Sequence, residues 1–103
     1  MPQISTYDYQ FHGGPSGYQN NRAILRLYGP TGPSDTLAYV HFVPTGKAIP
    51  ADTNAAPWMR MYMPEALISS VMEMLRDEKP VSVYYASGSG FLHTGSEPVG
   101  EGE

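Results

Sequence analysis

The sequence predicts an α+β fold in which one helix packs on one face of a small, antiparallel-dominated sheet of four to five strands. Two observations predict it. Several short segments alternate apolar and polar residues with the period of two that is typical of strands. One segment, residues 64 to 79, instead carries apolar residues at the spacing of a single helical stripe.

The length and the composition predict one domain with two polar ends. A chain of 103 residues allows a single modest core, which we place at residues 22 to 95. Residues 1 to 21 are rich in Tyr, Gln, Gly and Asn without an apolar period, which predicts a flexible N-terminal arm that could include a short strand at residues 5 to 11. Residues 96 to 103 are predicted to form an acidic C-terminal tail.

The first three strands are predicted from alternating segments with turns between them. Residues 22 to 28 and 36 to 43 should form an antiparallel hairpin, because a cluster of glycine and proline joins them. Residues 44 to 57 contain several breakers of regular structure and are expected to form a turn and a loop. Residues 58 to 63 alternate again and predict a third strand.

The helix should begin at Pro64, which is tolerated in a first turn, and end near Lys79, before Pro80. Very short links on both sides of the helix predict that a strand at residues 81 to 86 runs parallel to the third strand, after a right-handed crossover. Residues 91 to 94 could add a fifth strand. The apolar stripe of the helix consists of Leu67, Ile68, Val71, Met74 and Leu75.

The segment from Ser87 to Gly90, with the sequence SGSG, could be either a phosphate-binding loop or a tight turn. A phosphate loop needs a following helix, and the P-loop type also needs a lysine. Neither follows here, whereas glycine supplies the positive φ of tight hairpin turns. We therefore expect a hairpin turn.

Sorting each strand by its period of two gives the sheet one apolar face. Three groups are expected to point toward the helix: Ala23, Leu25 and Leu27; Ala38, Val40 and Phe42; Met59, Met61 and Met63. The other face is then left open, and the pattern places no carboxylate on it. Its predicted binding or interface residues are Arg26, Tyr28, Tyr39, His41, Trp58, Arg60, Tyr62 and Tyr84.

A face of aromatic and basic residues is typical of an interaction surface, and three interpretations remain open for it. Tyr, Trp and Arg are enriched at protein interfaces, and charged residues make up only 16% of the chain, which leaves little repulsion against self-association. We expect a homodimer that forms through this face or through an edge strand, with another protein as a further partner. The remaining two interpretations are that the N-terminal arm covers the face within one chain, and that the face binds single-stranded nucleic acid.

The nucleic-acid alternative comes from rings that could stack on unpaired bases beside arginines that could contact phosphates. In topology, the predicted sheet resembles sheet-surface binders of single strands such as the RRM and whirly folds. The resemblance is one of topology and covers no motif; the residues that would bind in this alternative come from the predicted open face and are Arg26, Tyr28, Tyr39, Arg60 and Tyr62. The whole chain carries a net charge of −4, whereas residues 22 to 63 carry four basic and two acidic side chains.

The sequence points away from an enzyme and predicts no cofactor. The chain has no cysteine, which excludes disulfides, thiol catalysis and zinc–thiolate sites. His12, His41 and His93 lack metal-ligand spacing, and a metal site would need them to converge with Asp35 or Asp52. We also expect no membrane association and a cytoplasmic location, because neither a signal peptide nor a membrane-length apolar run is visible.

Overall fold

The computed structural model describes residues 3–32, 34–55 and 58–94, so the predicted acidic tail lies outside the described residues. These residues form a mixed α+β structure with a five-stranded sheet, a two-stranded sheet and one α-helix. In chain order, the elements are β1 (Thr6–Phe11), β2 (Ala23–Tyr28), β3 (Thr36–Val43), β4 (Thr53–Ala55), β5 (Trp58–Pro64), a 3₁₀ turn (Glu65–Leu67), α1 (Ile68–Asp77), β6 (Val81–Ala86) and β7 (Ser89–Thr94).

The five-stranded sheet has the order β1-β2-β3-β5-β4. All neighbours are antiparallel except β3 and β5, which run parallel. Strand β1 lies where a short strand was expected within the N-terminal segment, and it forms one edge of the sheet. Strand β4 was not expected, since its residues fall within the predicted loop, and it forms the opposite edge.

The predicted sidedness of the sheet is confirmed. Paired residues such as Leu25 with Val40, and Val40 with Met61, point to the same side of the sheet. Leu25, Val40 and Met61 have no exposed surface, and burying each such side chain contributes about 1.5–3 kcal/mol. The core cluster built on this face consists of Ala23, Leu25, Leu27, Ala38, Val40, Phe42, Met59, Met61, Val71 and Val83.

The predicted parallel pairing of the strands at 58–63 and 81–86 is wrong. Strand β5 already has β3 on one side and β4 on the other, so no edge of β5 is left for β6. Strand β6 instead pairs with β7 as an antiparallel hairpin, and Val83 of this hairpin joins the core beside the helix. The strand expected at residues 91 to 94 is present as β7. It forms a second sheet with β6, and this sheet lies over the buried face of the first.

The turn between β6 and β7 is the tight hairpin turn that the sequence predicts. Ala86 pairs with Ser89, which leaves a two-residue loop, Ser87 and Gly88. Their φ angles are 53° and 83°. Positive φ at both central positions is the signature of a type I′ turn, whose twist matches the flanking strands.

The helix differs from its predicted bounds and face. Pro64 is the last residue of β5 rather than the first of the helix, and a 3₁₀ turn precedes the α-helix. A 3₁₀ turn has 3.0 residues per turn instead of 3.6, so Leu67 leaves the stripe and is 43% exposed. Val71 is buried, and Ile68, Met72 and Leu75 pack beside it against the core. No helix in the described ranges is both long and apolar enough to cross a membrane.

Asp52 joins the two sheets. Its Oδ1 accepts a hydrogen bond of 2.8 Å from the backbone N–H of Tyr62 in β5, and its Oδ2 accepts one of 2.7 Å from the backbone N–H of Gly90 in β7. Gly90 lies so close to β5 that a Cβ there would collide with the side chain of Met61. A glycine and a carboxylate therefore allow the hairpin to pack directly on the methionines.

We predict that Gly90→Ala lowers the free energy of unfolding by about 1–3 kcal/mol, because the added methyl group overpacks the contact with Met61. Gly13→Ala is the matched control, since a Cβ at Gly13 meets no atom within 4 Å. That control should stay within about 0.5 kcal/mol of the parent. Urea unfolding followed by circular dichroism measures both, and equal stability of the two variants would contradict the close packing of β7 on β5.

Candidate binding surface

The face of the five-stranded sheet opposite the helix, here called the open face, brings together seven of the eight residues predicted for it. Cross-strand pairs place Arg26 beside Tyr39, Tyr39 beside Arg60, and His41 beside Tyr62. The remaining two of the seven, Tyr28 and Trp58, lie on the same strands at even spacing from these residues.

Tyr84 does not belong to the open face, and its predicted placement there is wrong. It lies on β6, which is part of the second sheet because β5 has no free edge. There the ring of Tyr84 stacks on Phe91, with ring centroids 4.8 Å apart. His93 lies next to this pair, with its centroid 6.4 Å from that of Tyr84.

The rings on the open face form two stacked pairs. Tyr39 and Trp58 stack with centroids 5.2 Å apart and an interplanar angle of 12°. His41 and Tyr62 stack at 4.8 Å and 15°. Trp58 is exposed, with 36% of its surface accessible, whereas Tyr39 and Tyr62 are half-buried and His41 is buried. Of the two ring pairs, Tyr39–Trp58 is therefore the more open to a ligand.

Arg60 connects the two ring pairs. Its Cζ lies 4.8 Å from the centroid of the Tyr39 ring, within the range of a cation–π interaction. Its Nη1 donates a hydrogen bond of 3.0 Å to Nε2 of His41. No carboxylate among the described residues forms an ion pair with Arg60, so its charge is uncompensated at close range.

His41 is neutral at pH 7. It is 6% exposed, and burial, with a smaller contribution from the charge of Arg60, lowers the pKa of its imidazole to about 4. Because Nε2 accepts the bond from Arg60, the ring proton is assigned to Nδ1. Nδ1 is buried and has no hydrogen-bond partner among the described residues, and such an unpaired donor costs about 1–3 kcal/mol.

The other end of the open face holds a carboxylate that the sequence did not place there. Asp8 of β1 accepts hydrogen bonds from Nε of Arg26 at 2.7 Å and from the hydroxyl of Tyr28 at 3.0 Å. The bond to Asp8 raises the pKa of Arg26, and burial followed by the same carboxylate raises the pKa of Tyr28. The charge of Arg26 is therefore compensated, and the open face is less basic than the sequence predicts.

The arm does not cover the open face in the described residues. Tyr7, Tyr9 and Phe11 pair with Leu27, Leu25 and Ala23, so their side chains lie on the helix side of the sheet. The segment Gln19 to Asn21 does border one end of the open face. There it lines a cleft of about 250 Å³ together with His41, Val43, Ala48, Pro50 and Tyr62.

Arg22 fixes the N-terminal segment in place. Its guanidinium donates to the carbonyl oxygens of His12 and Gly14, both at 2.8 Å, and its Nε donates to Glu65 at 3.0 Å. The hydrogen bonds from Arg22 and then Thr45 lower the pKa of Glu65. The loop that follows β1 is thus tied to the start of the 3₁₀ turn.

The outer edge of β1 carries backbone groups without a partner strand. Arg22 and Tyr28 both turn their carbonyl oxygens toward β1, where they accept from His12 and Ser5. Because hydrogen-bonding direction alternates along an antiparallel strand, Asp8 and Gln10 also face β2. The N–H and C=O groups of Tyr7, Tyr9 and Phe11 then point away from the sheet, at an edge where no described strand pairs with them.

The three histidines remain apart. Nδ1 of His12 bonds to the carbonyl oxygen of Asn21 at 2.9 Å, His41 lies under Arg60, and His93 lies on the second sheet. Within residues 3–32, 34–55 and 58–94, no group of three His, Asp or Glu side chains is close enough to hold a metal ion.

We predict that His41 makes stability depend on pH between about 4 and 6.5. Its folded pKa of about 4 lies below the ordinary 6.5, so the unfolded chain binds the proton first as the pH falls. The contribution of His41 to the free energy of unfolding is therefore complete well above pH 6.5 and is lost as the pH falls toward 4. This loss is about 2 kcal/mol from pH 8 to pH 5. Urea unfolding at a series of pH values measures this loss.

His41→Gln removes the titrating ring but keeps an acceptor for Arg60, so this variant should lose that part of the pH dependence. His93→Gln, at an exposed position, should keep it. Parallel stability curves for the parent and His41→Gln would show that His41 is not held neutral by burial.

No protein-family model, curated protein or solved structure matches this chain.

Proposed function

We propose that this protein is a small, non-enzymatic interaction module that forms a homodimer through the free edge of β1. The observation that carries the proposal is the outward direction of the backbone groups of Tyr7, Tyr9 and Phe11. A second copy can take up these groups as a further antiparallel strand, the mode of binding known as strand addition. We expect it to act in the cytoplasm.

The side chains of β1 support pairing with another chain. Tyr9 and Phe11 are 49% and 55% exposed, and their rings contact each other edge to face at 5.2 Å. Large exposed aromatic residues next to an open strand edge lose apolar surface to water when another chain pairs there. The first half of the strand adds Tyr7, which packs partly against the core.

Protection against edge pairing is weak in β1. In natural proteins, lysine, proline, a bulge or an inward-pointing charge on an edge strand prevents that strand from pairing with another chain. The strand TYDYQF has neither lysine nor proline, and its single charged residue, Asp8, forms an ion pair with Arg26. The opposite edge, β4, has only three residues and offers a shorter template.

The edge is better supported than the open face as the dimer contact. Tyr28 and His41 are buried, and the rings of the open face already stack on each other. Little surface there would be newly buried by a second copy. The open face would remain available for a different partner.

We predict that Tyr9→Lys converts the dimer into a monomer, because it removes an exposed ring and adds a charge at the edge. The fold should persist, since half of the Tyr9 surface is already exposed. Light scattering coupled to size exclusion measures the mass against that of the 11.3 kDa monomer.

The matched control is Ile49→Lys, which makes the same charge change at an exposed aliphatic residue outside β1. It should leave the dimer intact. A parent protein that stays monomeric at high concentration would refute the proposal, as would equal dimerisation of the two variants.

Single-stranded nucleic acid is the second candidate, and the exposed Tyr39–Trp58 stack beside the uncompensated Arg60 favours it. Such a stack offers a plane to an unpaired base, which contributes about 1–3 kcal/mol per stacked base. The compensated Arg26 contributes little, so few phosphate contacts are available.

We predict, for this candidate, that an oligothymidylate quenches the fluorescence of Trp58, the chain's single tryptophan. Affinity should fall with salt at a slope of about −0.7, the value for one phosphate contact with a single strand. Arg60→Gln should weaken binding more than Arg26→Gln, because Asp8 already compensates Arg26. An unchanged Trp58 signal at low salt rules this candidate out.

A further inference from the structure

We propose that the second copy binds β1 in one antiparallel register, with the two-fold axis at Tyr9. Tyr9 then lies opposite Tyr9 of the second copy, and Tyr7 lies opposite Phe11. This inference rests on the proposed function and deepens it, since it specifies which atoms of the two copies meet.

The backbone of β1 limits the registers that can form. Only Tyr7, Tyr9 and Phe11 direct their N–H and C=O groups outward, so hydrogen-bonded pairs across the two-fold axis must join members of this set. An axis at Tyr9 pairs all three residues with all three of the second copy. An axis at Asp8 or Gln10 pairs only two of them, and an axis at Tyr7 or Phe11 pairs only one.

Charge favours the same register. With the axis at Tyr9, Asp8 lies opposite Gln10 of the second copy, so a carboxylate meets a neutral amide. With the axis at Asp8, two carboxylates would lie directly opposite each other, which is destabilising in an antiparallel pair. Asp8 also keeps its ion pair with Arg26, because that bond lies across the β1–β2 pair and not at the outer edge.

The aromatic side chains of β1 favour the same register. Tyr9 and Phe11, both about half exposed, would lie beside Tyr9 and Tyr7 of the second copy on the helix side of the sheet. Neighbouring rings across strands are a stabilising pair type. On the other side, the two open faces would join into one surface across ten strands, so the second copy extends the candidate binding surface.

The absence of cysteine from the chain allows a direct test of this register. A hydrogen-bonded antiparallel pair has its Cα atoms about 5.5 Å apart, within the span of about 4.4–6.8 Å that a disulfide bridges. Tyr9→Cys should therefore form a disulfide-linked dimer under mild oxidation, seen on a non-reducing gel. Phe11→Cys is the matched control on the same strand and face, and it should not cross-link, because its two copies would lie roughly 14 Å apart.

The outcomes separate this inference from the proposed function. Cross-linking of Phe11→Cys but not Tyr9→Cys, or of neither while both reduced variants stay dimeric, overturns the register and leaves self-association standing. A parent protein that is monomeric by light scattering overturns both.

A second pair of variants covers the case in which loss of a ring weakens the dimer. Asp8→Cys and Gln10→Cys keep all three aromatic rings, and in the proposed register each lies opposite the other. Mixing them should give a mixed disulfide dimer, whereas Gln10→Cys alone should give none, because its own copies lie roughly 8 Å apart. Equal cross-linking of Gln10→Cys alone and of the mixture contradicts an axis at Tyr9.

Discussion

Side chains of successive strand residues point to opposite faces of a sheet, and in β2, β3 and β5 this geometry gives the helix side a set of side chains that is wholly apolar. Leu25, Val40 and Met61 pair across adjacent strands and are fully buried. A shift of one residue in either pairing would turn them to solvent and bring Tyr39 or Arg60 into the core. The burial of this face therefore fixes the register, and the register in turn assembles the ring pairs and Arg60 on the open face. The same alternation along β1 leaves the backbone groups of Tyr9 at a free edge.

The buried face is covered by two elements of different kinds. The helix contributes Val71, and the β6–β7 hairpin contributes Val83. The hairpin can approach the methionines only because Gly90 has no side chain there and because Asp52 accepts its N–H. The two edges of the main sheet are unequal. Strand β4 has three residues, whereas β1 has six, is rich in aromatic residues and has one charged residue, Asp8, which is paired with Arg26.

Local pattern was sufficient for the features that depend on period and turn chemistry. The sidedness of the strands, the helix and the turn at Ser87 and Gly88 follow from alternation, stripe spacing and positive φ.

Features that depend on long-range pairing could not be predicted. Strand β4 has the sequence TNA, without an apolar signal, yet its presence excludes β6 from the main sheet. Asp8 contacts Arg26 only because the β1–β2 register places the two residues opposite each other. The local sequence around either residue therefore does not predict that the charge of Arg26 is compensated. The burial of His41 likewise results from its neighbours in space rather than from its own strand pattern.

The central claim is that β1 is hydrogen-bonded to β2 on one side and has a free edge on the other, and amide hydrogen exchange along β1 tests it most directly. The N–H groups of Asp8, Gln10 and His12 face β2, so they should exchange slowly at any protein concentration. Those of Tyr7, Tyr9 and Phe11 should exchange quickly in dilute solution and become protected as the concentration rises and a second copy takes the edge. Fast exchange of Tyr9 at every concentration, or protection of Tyr9 and exposure of Gln10 in the monomer, would contradict this account.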